Sequence, residues 1–233
     1  MKRIYLVRHG LSEGNEDRNV HRKIADHAIK LNPLGESQAT MAGDFLEGYL
    51  RDNNIRPRWY KDPVGFLKNS PNKFRVWRSP YDRTRMTADR LISQLDPKRI
   101  IDVREHAFLV EQQFGLFDGL DNDECAALFP EENDHYLKQK NHGGRFWAQQ
   151  PLGESRFMVA QRVHSAFGTF HRDCDKHGIE NIIVVSHGTT LRCFAMMWLH
   201  LPYEWMEQEP NPKNCSIRLI EDNTDKGYIF EGF

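Results

Sequence analysis

Two histidines in the sequence share one local pattern, because each follows a short apolar run and precedes a glycine. His9 lies in VRHG at residues 7–10, and His187 lies in VSHG at residues 185–188. Short apolar runs predict strands, and the carboxyl ends of neighbouring parallel strands are where open α/β sheets bind ligands. A glycine there lets the backbone turn and lets a ligand approach closely. The sequence therefore predicts that both imidazoles meet in one ligand site.

The polar residues around these histidines indicate an anionic ligand. Arg8 precedes His9, Arg83 follows another apolar run, and Asn15 offers a neutral donor. The guanidinium group is a planar fork of donors that matches the oxygens of phosphate or carboxylate. A helix that begins after Gly188 would add free amide groups and the positive end of its dipole. Two histidines and two arginines at strand ends thus predict a phosphate cage.

Each of these signals is weak by itself. A single histidine at a strand end is more often structural or exposed than catalytic, and we keep that interpretation for the other nine histidines. One RHG motif alone has little specificity. The joint pattern at separate strand ends is what favours a site.

The order of the predicted elements indicates the fold class. Apolar runs predict buried strands at 4–7, 74–77, 99–103 and 182–185. Residues 215–220 alternate apolar and polar side chains, which is typical of an edge or half-buried strand. Apolar stripes at helical spacing predict helices within 35–50, 84–95, 157–174 and 191–199, with Ser155 able to cap the third. Strands that alternate with helices favour an α/β fold with a largely parallel sheet.

Two segments interrupt this alternation. Residues 51–73 are rich in proline, asparagine and charge, and they predict a long surface excursion. Residues 121–151 are polar with interspersed aromatic side chains, which predicts an insertion that covers the active site. We expect one domain over residues 1–233.

The composition restricts the class of protein. Hydrophobic residues make up 39% and charged residues 28%, as in a soluble globular protein with a real core. The net charge is −1, so a preference for anions must come from local arginines, and neither nucleic acid nor a membrane is an expected partner. The four cysteines form no C-x-x-C pair, and the apolar run at the start is too short for a secretory signal. We expect a cytoplasmic protein.

Six ordered motifs resemble the histidine phosphatase superfamily, also called phosphoglycerate mutase-like. They are LVRHGLSEGN at 6–15, LNPLGESQA at 31–39, SPYDRT at 79–84, EQQFG at 111–115, GES at 153–155 and VSHG at 185–188. Together they extend over nearly the whole chain and are far more specific than any single motif. The resemblance implies an α/β fold, a three-layer α/β/α sandwich with a mostly parallel central sheet.

The resemblance also implies a phosphohistidine mechanism. His9 would attack phosphorus and hold the phosphoryl group covalently, while Arg8, Arg83 and His187 bind its oxygens. Glu111 would protonate the leaving oxygen and then deprotonate the water that hydrolyses the intermediate. This route needs neither a metal nor a cofactor, and we expect none.

Other positions are expected at the edge of the site. Ser12, Asn15 and Gly188 lie in matching motifs and are expected to bind substrate. His27 precedes the first long helix, and the sequence supports two interpretations equally: it faces the pocket, or it is a buried or capping histidine.

The identity of the acid is less sharply indicated. Glu111 fits the motif best because the sequence around it reads LVEQQFG. Glu105 and Asp118 are close in sequence and compete for the role, and a surface carboxylate in a loop is a further interpretation of Glu111.

The same superfamily contains phosphatases and mutases. Classical sugar-acid mutases carry an Arg-His-Tyr run after the acid, whereas this chain has Gln112, Gln113 and Phe114 there. That difference favours a phosphomonoester hydrolase for small phosphorylated metabolites, and the chain looks most similar to the broad-range acid phosphatase-like branch. A mutase-type phosphotransferase and a non-catalytic phosphate-binding regulatory module are the alternatives. The expected partner is a small phosphorylated substrate, and a homodimer is left open.

Overall fold

A computed structural model describes residues 1–55, 60–61, 67–68 and 73–233. The surface excursion predicted at 51–73 lies largely outside these ranges. The strands are β1 Arg3–Arg8, β2 Tyr60–Lys61, β3 Leu67–Lys68, β4 Phe74–Arg78, β5 Ile100–Glu105, β6 Asn181–Ser186, β7 Ile217–Glu221 and β8 Thr224–Phe230. The α-helices are α1 Glu13–Glu16, α2 Pro33–Asp52, α3 Asp82–Ile92, α4 Asn122–Leu128, α5 Pro130–Gly143, α6 Arg156–His177, α7 Gly188–Trp198 and α8 Tyr203–Gln208.

The central sheet is mostly parallel. Within the described ranges it has six strands in the order β5-β4-β6-β1-β7-β8. Strands β5, β4, β6 and β1 run parallel, whereas β7 and β8 pair antiparallel at one side. Strands β2 and β3 form a separate antiparallel pair.

Strands β1 and β6 lie side by side at the centre of the sheet. Their register places Val7 opposite Val185 and Arg8 opposite Ser186. Both strands are buried on both faces, which is why their sequences are nearly continuous apolar runs. This pairing brings the two histidine motifs to the same edge of the sheet.

Alternate side chains of these strands point into two separate cores. Ile4 and Leu6 pack with residues of α6 and α7 on one face. Tyr5 and Val7 pack with residues of α2 and α3 on the other face. The three-layer α/β/α sandwich expected from the sequence is therefore confirmed.

Polar caps fix where the long helices begin. The Asn32 side chain accepts a hydrogen bond from the Gly35 amide, and Pro33 occupies the first helical position of α2. Ser155 caps α6 as predicted by accepting from the Met158 amide, and Gly178 in the left-handed conformation ends that helix.

The prediction of an edge or half-buried strand at 215–220 is wrong. Strand β7 occupies this region, lies between β1 and β8, and is buried over residues 217–220. The alternating polar residue Arg218 stays buried because it is paired with Glu209 and Asp225. The edge is β8, whose sequence TDKGYIF lacks a clear apolar period and went unpredicted.

The segment 121–151 contains α4 and α5. Asp121 and Glu124 form a capping box at the start of α4, and Pro130 starts α5. The ring of Tyr136 on α5 contacts Phe117 edge to face at a centroid distance of 5.7 Å, which anchors α5 near the sheet edge. Among the described residues, no helix is both long and apolar enough to cross a membrane.

Candidate active site

The carboxyl edge of β1 and β6 brings His9 and His187 into direct contact. Their ring centroids are 5.2 Å apart, and the ring planes are inclined by 63°. His9 is 3% exposed and His187 is fully buried. The pairing predicted from the two VxHG motifs is thus present in the fold.

His9 is held in one tautomer by its own loop. The Nδ1 atom lies 2.7 Å from the Gly10 carbonyl oxygen, and the carbonyl can only accept, so Nδ1 carries the proton. Burial, followed by the charges of Arg83 and Arg8, holds the pKa of His9 well below its usual range. The imidazole is therefore neutral, and the lone pair on Nε2 is available for attack on an electrophile.

His187 lies behind His9 and does not line the cavity. It is the N-cap residue of α7, and its Nε2 atom is 2.9 Å from the Ser79 hydroxyl. Its buried Nδ1 atom has no hydrogen-bond partner among the residues described. Burial and the charge of Arg83 lower the pKa of His187 well below its usual range, so this imidazole is neutral too.

A cavity of about 510 Å³ opens above His9. Of the residues predicted from the sequence, those that line it are Arg8, His9, Ser12, Asn15, Arg83 and Glu111. The segment 121–151 contributes to the wall through Tyr136, Arg145 and Gln150. The cavity is much larger than a phosphoryl group, so it has room for the rest of a substrate.

Arg8 is anchored at the end of β1. Its Nη1 atom donates a hydrogen bond of 2.6 Å to the Pro212 carbonyl, and its buried Nε atom has no partner among the described residues. Burial lowers the pKa of Arg8, and the charge of Glu111 acts against this effect. A half-buried guanidinium with unused donors beside a nucleophile is suited to bind an anion.

Arg83 has a partner that the sequence analysis missed. Its two terminal nitrogens bond the carbonyl and carboxylate of Asp26, at 2.6 and 3.2 Å, with a further ion-pair distance of 2.9 Å. Its guanidinium also lies over the Tyr81 ring at 4.9 Å. These contacts orient Arg83 at the wall of the cavity and leave the remaining N–H groups for a ligand.

Ser12 and Asn15 form a capping box at the start of α1. The Ser12 hydroxyl accepts from the Asn15 amide at 3.2 Å, and Asn15 Oδ1 accepts from the Ser12 amide at 3.4 Å. Asn15 Oδ1 also accepts from Asn214 at 3.5 Å. Because the oxygen of Asn15 is engaged, its amide nitrogen is the atom available to the cavity.

The three carboxylates that competed for the acid role lie in different places. Glu111 lines the cavity, and its Oε1 accepts from the Gln112 amide at 2.9 Å and from the Thr190 hydroxyl at 3.4 Å. Glu105 does not line the cavity, and its carboxylate is bound by Arg85 at 2.8 Å. Asp118 does line it, so two candidates remain.

Asp118 belongs to a small group next to Asp26. The Nδ1 atom of His21 lies 3.5 Å from Asp118 and 3.6 Å from Asp26. Burial and the nearby carboxylate of Asp26 raise the pKa of Asp118, whereas the charges of His21 and Arg83 lower it. Neither His21 nor Asp26 was expected at the site, and the neighbouring His27 was the only sequence signal for them.

The structure places His27 at the surface, outside the cavity wall. Residues 26–28 form a 3₁₀ turn, in which successive side chains point about 120° apart. Since Asp26 points to Arg83, His27 turns outward, with its ring 6.5 Å from that of Tyr81. Of its two interpretations, the one that faces the pocket does not fit the geometry.

The glycines of the two histidine motifs were expected to allow a backbone turn and the close approach of a ligand, but in the structure they allow the close approach of other protein segments. Neither Gly10 nor Gly188 has a left-handed backbone. A Cβ atom on Gly10 would collide with the Gly35 carbonyl, and one on Gly188 would collide with the Asn211 side chain. These glycines let neighbouring segments approach the histidine loops, and Gly188 itself does not line the cavity.

Two further cavity arginines, Arg156 and Arg192, were not predicted as site residues. Arg156 begins α6 and Arg192 lies on α7, so tertiary packing alone brings them together. Among the described residues, no group of three or more histidine, cysteine or acidic side chains is arranged to hold a metal ion.

A comparison with protein families assigns the class. The profile described as the histidine phosphatase superfamily (branch 1) matches residues 64–230, which is more than half of the chain. The chain belongs to the histidine phosphatase superfamily. The matched segment includes Arg83, Glu111 and His187 and begins after His9.

Curated relatives of this superfamily agree with the assignment. The phosphoglycerate mutase-like protein AT74 of Arabidopsis thaliana is 34% identical over 227 residues, which cover 94% of this chain and 65% of AT74. The broad-range acid phosphatase DET1 of Saccharomyces cerevisiae is 23% identical over 291 residues, which cover 97% of this chain and 87% of DET1. The expected membership of the histidine phosphatase superfamily is confirmed.

Solved structures show the same fold. A mycobacterial glucosyl-3-phosphoglycerate phosphatase aligns with a TM-score of 0.65 at 19% identity, over 100% of this chain and 99% of that chain. At this identity the likeness establishes the histidine phosphatase fold alone.

Proposed function

We propose that the chain is a phosphomonoester hydrolase that acts through a phosphorylated His9 on small phosphorylated metabolites. The observation that carries the proposal is the state of His9. It is neutral, its Nδ1 is committed to Gly10, and it stands with Arg8 and Arg83 in one cavity. A neutral imidazole fixed beside two guanidinium groups is suited to attack a phosphate ester.

The first step transfers the phosphoryl group to the enzyme. The Nε2 lone pair of His9 forms a bond to phosphorus while the bond from phosphorus to the ester oxygen breaks. Glu111 enters this step protonated and gives its proton to the leaving oxygen, so that an alcohol departs. The developing charge lies on the three equatorial oxygens, which Arg8 and Arg83 bind.

The second step returns His9 to its starting state. The Glu111 carboxylate takes a proton from water as the water oxygen attacks the phosphorus of phospho-His9, and the bond from nitrogen to phosphorus breaks. Inorganic phosphate leaves, and both side chains regain their initial protonation. The amide nitrogen of Asn15 supplies a further donor to the phosphoryl oxygens. His187 is fully buried behind His9 and does not line the cavity, so the contact with these oxygens that the resemblance implies is not part of the proposed step.

A mutase is the second candidate, and the name of AT74 refers to that class. A mutase needs groups that retain its intermediate and product. The residues that follow Glu111, where classical mutases have Arg-His-Tyr, form hydrogen bonds within the protein. The Gln112 side chain donates to the Glu154 carbonyl at 2.8 Å, and the Gln113 side chain donates to the Tyr81 hydroxyl at 2.9 Å. This arrangement supports hydrolysis over retention of the phosphoenzyme.

Hydrolysis of an aryl phosphate tests the proposal. Phosphate release by the wild type and by His9→Ala should differ by several orders of magnitude, because the nucleophile is lost. Equal release by both proteins would contradict the proposal. Rapid interconversion of phosphoglycerates with little hydrolysis would favour the mutase, and binding of phosphate without any turnover would favour a regulatory module.

The proposed setting is the cytoplasm. All four cysteines are buried and unpaired as thiols, as is usual in a reducing compartment. The proposed partner is a small phosphorylated substrate, and the homodimer stays an untested prediction.

A further inference from the structure

The cavity contains more positive charge than one phosphoryl group requires. Among the residues that the structure describes, six arginines and three carboxylates line it: Arg8, Arg18, Arg83, Arg145, Arg156 and Arg192, with Asp26, Glu111 and Asp118. The chain as a whole carries a net charge of −1, so this excess is local. Arg8 and Arg83 serve the phosphoryl group in the proposed reaction, which leaves the other arginines without a role.

Arg156 and Arg192 are the most enclosed of the remaining four. The Arg156 side chain is 12% exposed, and its one polar contact among the described residues is an ion pair of 3.6 Å with Glu207. Arg192 is 8% exposed, and it donates to the Glu209 carbonyl at 3.0 Å and weakly to the Gly188 carbonyl at 3.4 Å. Most of their donors are therefore unused.

The two guanidinium groups repel each other. Burial and then the charge of Arg156 lower the pKa of Arg192, while Glu111 acts in the opposite direction. The carboxylate of Glu209 does not relieve this repulsion, because it is bound to Arg218 at 2.5 Å. Two enclosed like charges at a cavity wall are stabilised by an anion that binds between them.

This pair lies on the Glu111 side of the cavity. Glu111 contacts the Thr190 hydroxyl in the first turn of α7, and Arg192 contacts the Gly188 carbonyl of the same turn. Glu111 also interacts electrostatically with both Arg8 and Arg192. In the proposed reaction, Glu111 faces the leaving oxygen, so Arg156 and Arg192 lie where the leaving group extends.

We propose that Arg156 and Arg192 form a second anion subsite, which binds a carboxylate or a second phosphate carried by the leaving group of the substrate. The inference rests on the proposed function for the position of the transferred phosphoryl group. It defines the substrate class as phosphate esters with two anionic groups, and it makes Arg156 and Arg192 specificity residues. Thr189 lines the same stretch of wall and offers a hydroxyl group.

Binding of phosphonates tests the subsite without any need for turnover. The three probes are ethylphosphonate, 3-phosphonopropionate and propane-1,3-bisphosphonate, which the enzyme cannot hydrolyse as esters. By calorimetry, the wild type should bind at least one of the two-anion probes at least about tenfold more tightly than ethylphosphonate. One hydrogen bond to a charged group changes the dissociation constant by about this factor or more. Which two-anion probe binds more tightly shows whether the subsite prefers carboxylate or phosphate.

The affinity ratio is the affinity for a two-anion probe divided by the affinity for ethylphosphonate. The variant Arg156→Gln should reduce this ratio by about tenfold, and its affinity for ethylphosphonate should stay within about twofold of the wild-type value. Arg172→Gln is the matched control, because Arg172 is an exposed arginine outside the cavity wall. Arg156→Lys keeps the charge without the planar fork and should retain part of the ratio, which keeps the test valid if the glutamine variant does not fold.

A wild-type ratio near one would overturn the subsite, as would a ratio that Arg156→Gln leaves unchanged. Failure of the proposed function has a different signature. If the wild type hydrolyses no phosphomonoester but shows the affinity ratio and its loss in Arg156→Gln, hydrolysis is refuted and the two-anion pocket stands. If the wild type hydrolyses phenyl phosphate but binds the two-anion probes no more tightly than ethylphosphonate, the proposed hydrolase function is supported and the subsite is refuted.

Discussion

At the scale of single residues, the structure reduces the competition for the acid role to Glu111 and Asp118. Both line the cavity, whereas Glu105 is bound by Arg85. Only Glu111 contacts α7, the helix that His187 caps. We therefore assign the proton transfer to Glu111, and we regard Asp118 as part of the group around Asp26.

The choice between these carboxylates can be tested with two leaving groups. Glu111→Gln should lower kcat by about 10²–10⁴-fold on an alkyl phosphate, whose alkoxide needs a proton, and by much less on 4-nitrophenyl phosphate. Asp118→Asn should show no such dependence on the leaving group. A leaving-group effect in Asp118→Asn that is absent in Glu111→Gln would reverse the assignment.

The site residues that could be predicted from the sequence are those whose position follows from the adjacent residues in the chain. Arg8 ends β1 and His9 follows it directly, so the strand fixes their position. Asp26 and Arg156 could not be predicted, because their place in the site depends on a 3₁₀ turn and on the packing of a helix end.

At the scale of elements, the start of α2 is packed against the loop that follows His9. The Asn32 amide donates to the Leu11 carbonyl at 3.1 Å, and the Leu11 amide donates to Gln38 at 2.9 Å. A Cβ atom on Gly35 would collide with the same Leu11 carbonyl. The position of the nucleophile loop therefore depends on a glycine of a neighbouring helix.

Gly35→Ala tests this dependence, with Gly48→Ala on the same helix as the matched control. The first should lower the free energy of unfolding by about 1–3 kcal/mol, because backbone atoms must move apart, and should reduce activity with it. A Cβ atom on Gly48 meets no atom within 4 Å, so that change should raise the free energy of unfolding by about 0.5–1 kcal/mol. Urea denaturation measures both, and equal effects would contradict the packing argument.

The sequence predicts the central strands better than those at one edge. Strands β1 and β6 are buried on both faces, so their apolar runs are unmistakable. Strand β7 keeps a buried arginine through two ion pairs, and β8 is only half covered, so neither shows the period that its position in the sheet would suggest. The period of apolar residues in a sequence indicates which side chains are buried. In β7 the ion pairs of a buried arginine hide this period, and in β8 the edge position does.

At the scale of the whole molecule, the two buried histidines connect the site to the stability of the fold. The pKa values of both lie well below the usual range in the folded protein, whereas the unfolded chain takes up protons near pH 6.5. As the pH falls through 6.5, the unfolded state binds more protons than the folded state. The stability that these neutral imidazoles contribute is therefore present above that pH and is lost below it.

Urea denaturation between pH 7.5 and 5 should show this loss. Each of the two histidines contributes a slope of up to about 1.4 kcal/mol per pH unit below its unfolded pKa. His9→Gln should remove one of the two contributions and make the decline shallower, whatever its effect at pH 7.5. An unchanged slope would show that His9 is not held neutral in the folded protein.

His9 as the phosphoryl carrier is the central feature of the proposed mechanism. The direct measurement is to mix the protein with a ³²P-labelled phosphomonoester, to quench within the turnover time, and to map the labelled peptide. We predict a label that is stable to base and labile to acid, lies on the peptide that contains His9, and is absent from His9→Ala. A label on another residue, or hydrolysis by His9→Ala at the wild-type rate, would contradict the account.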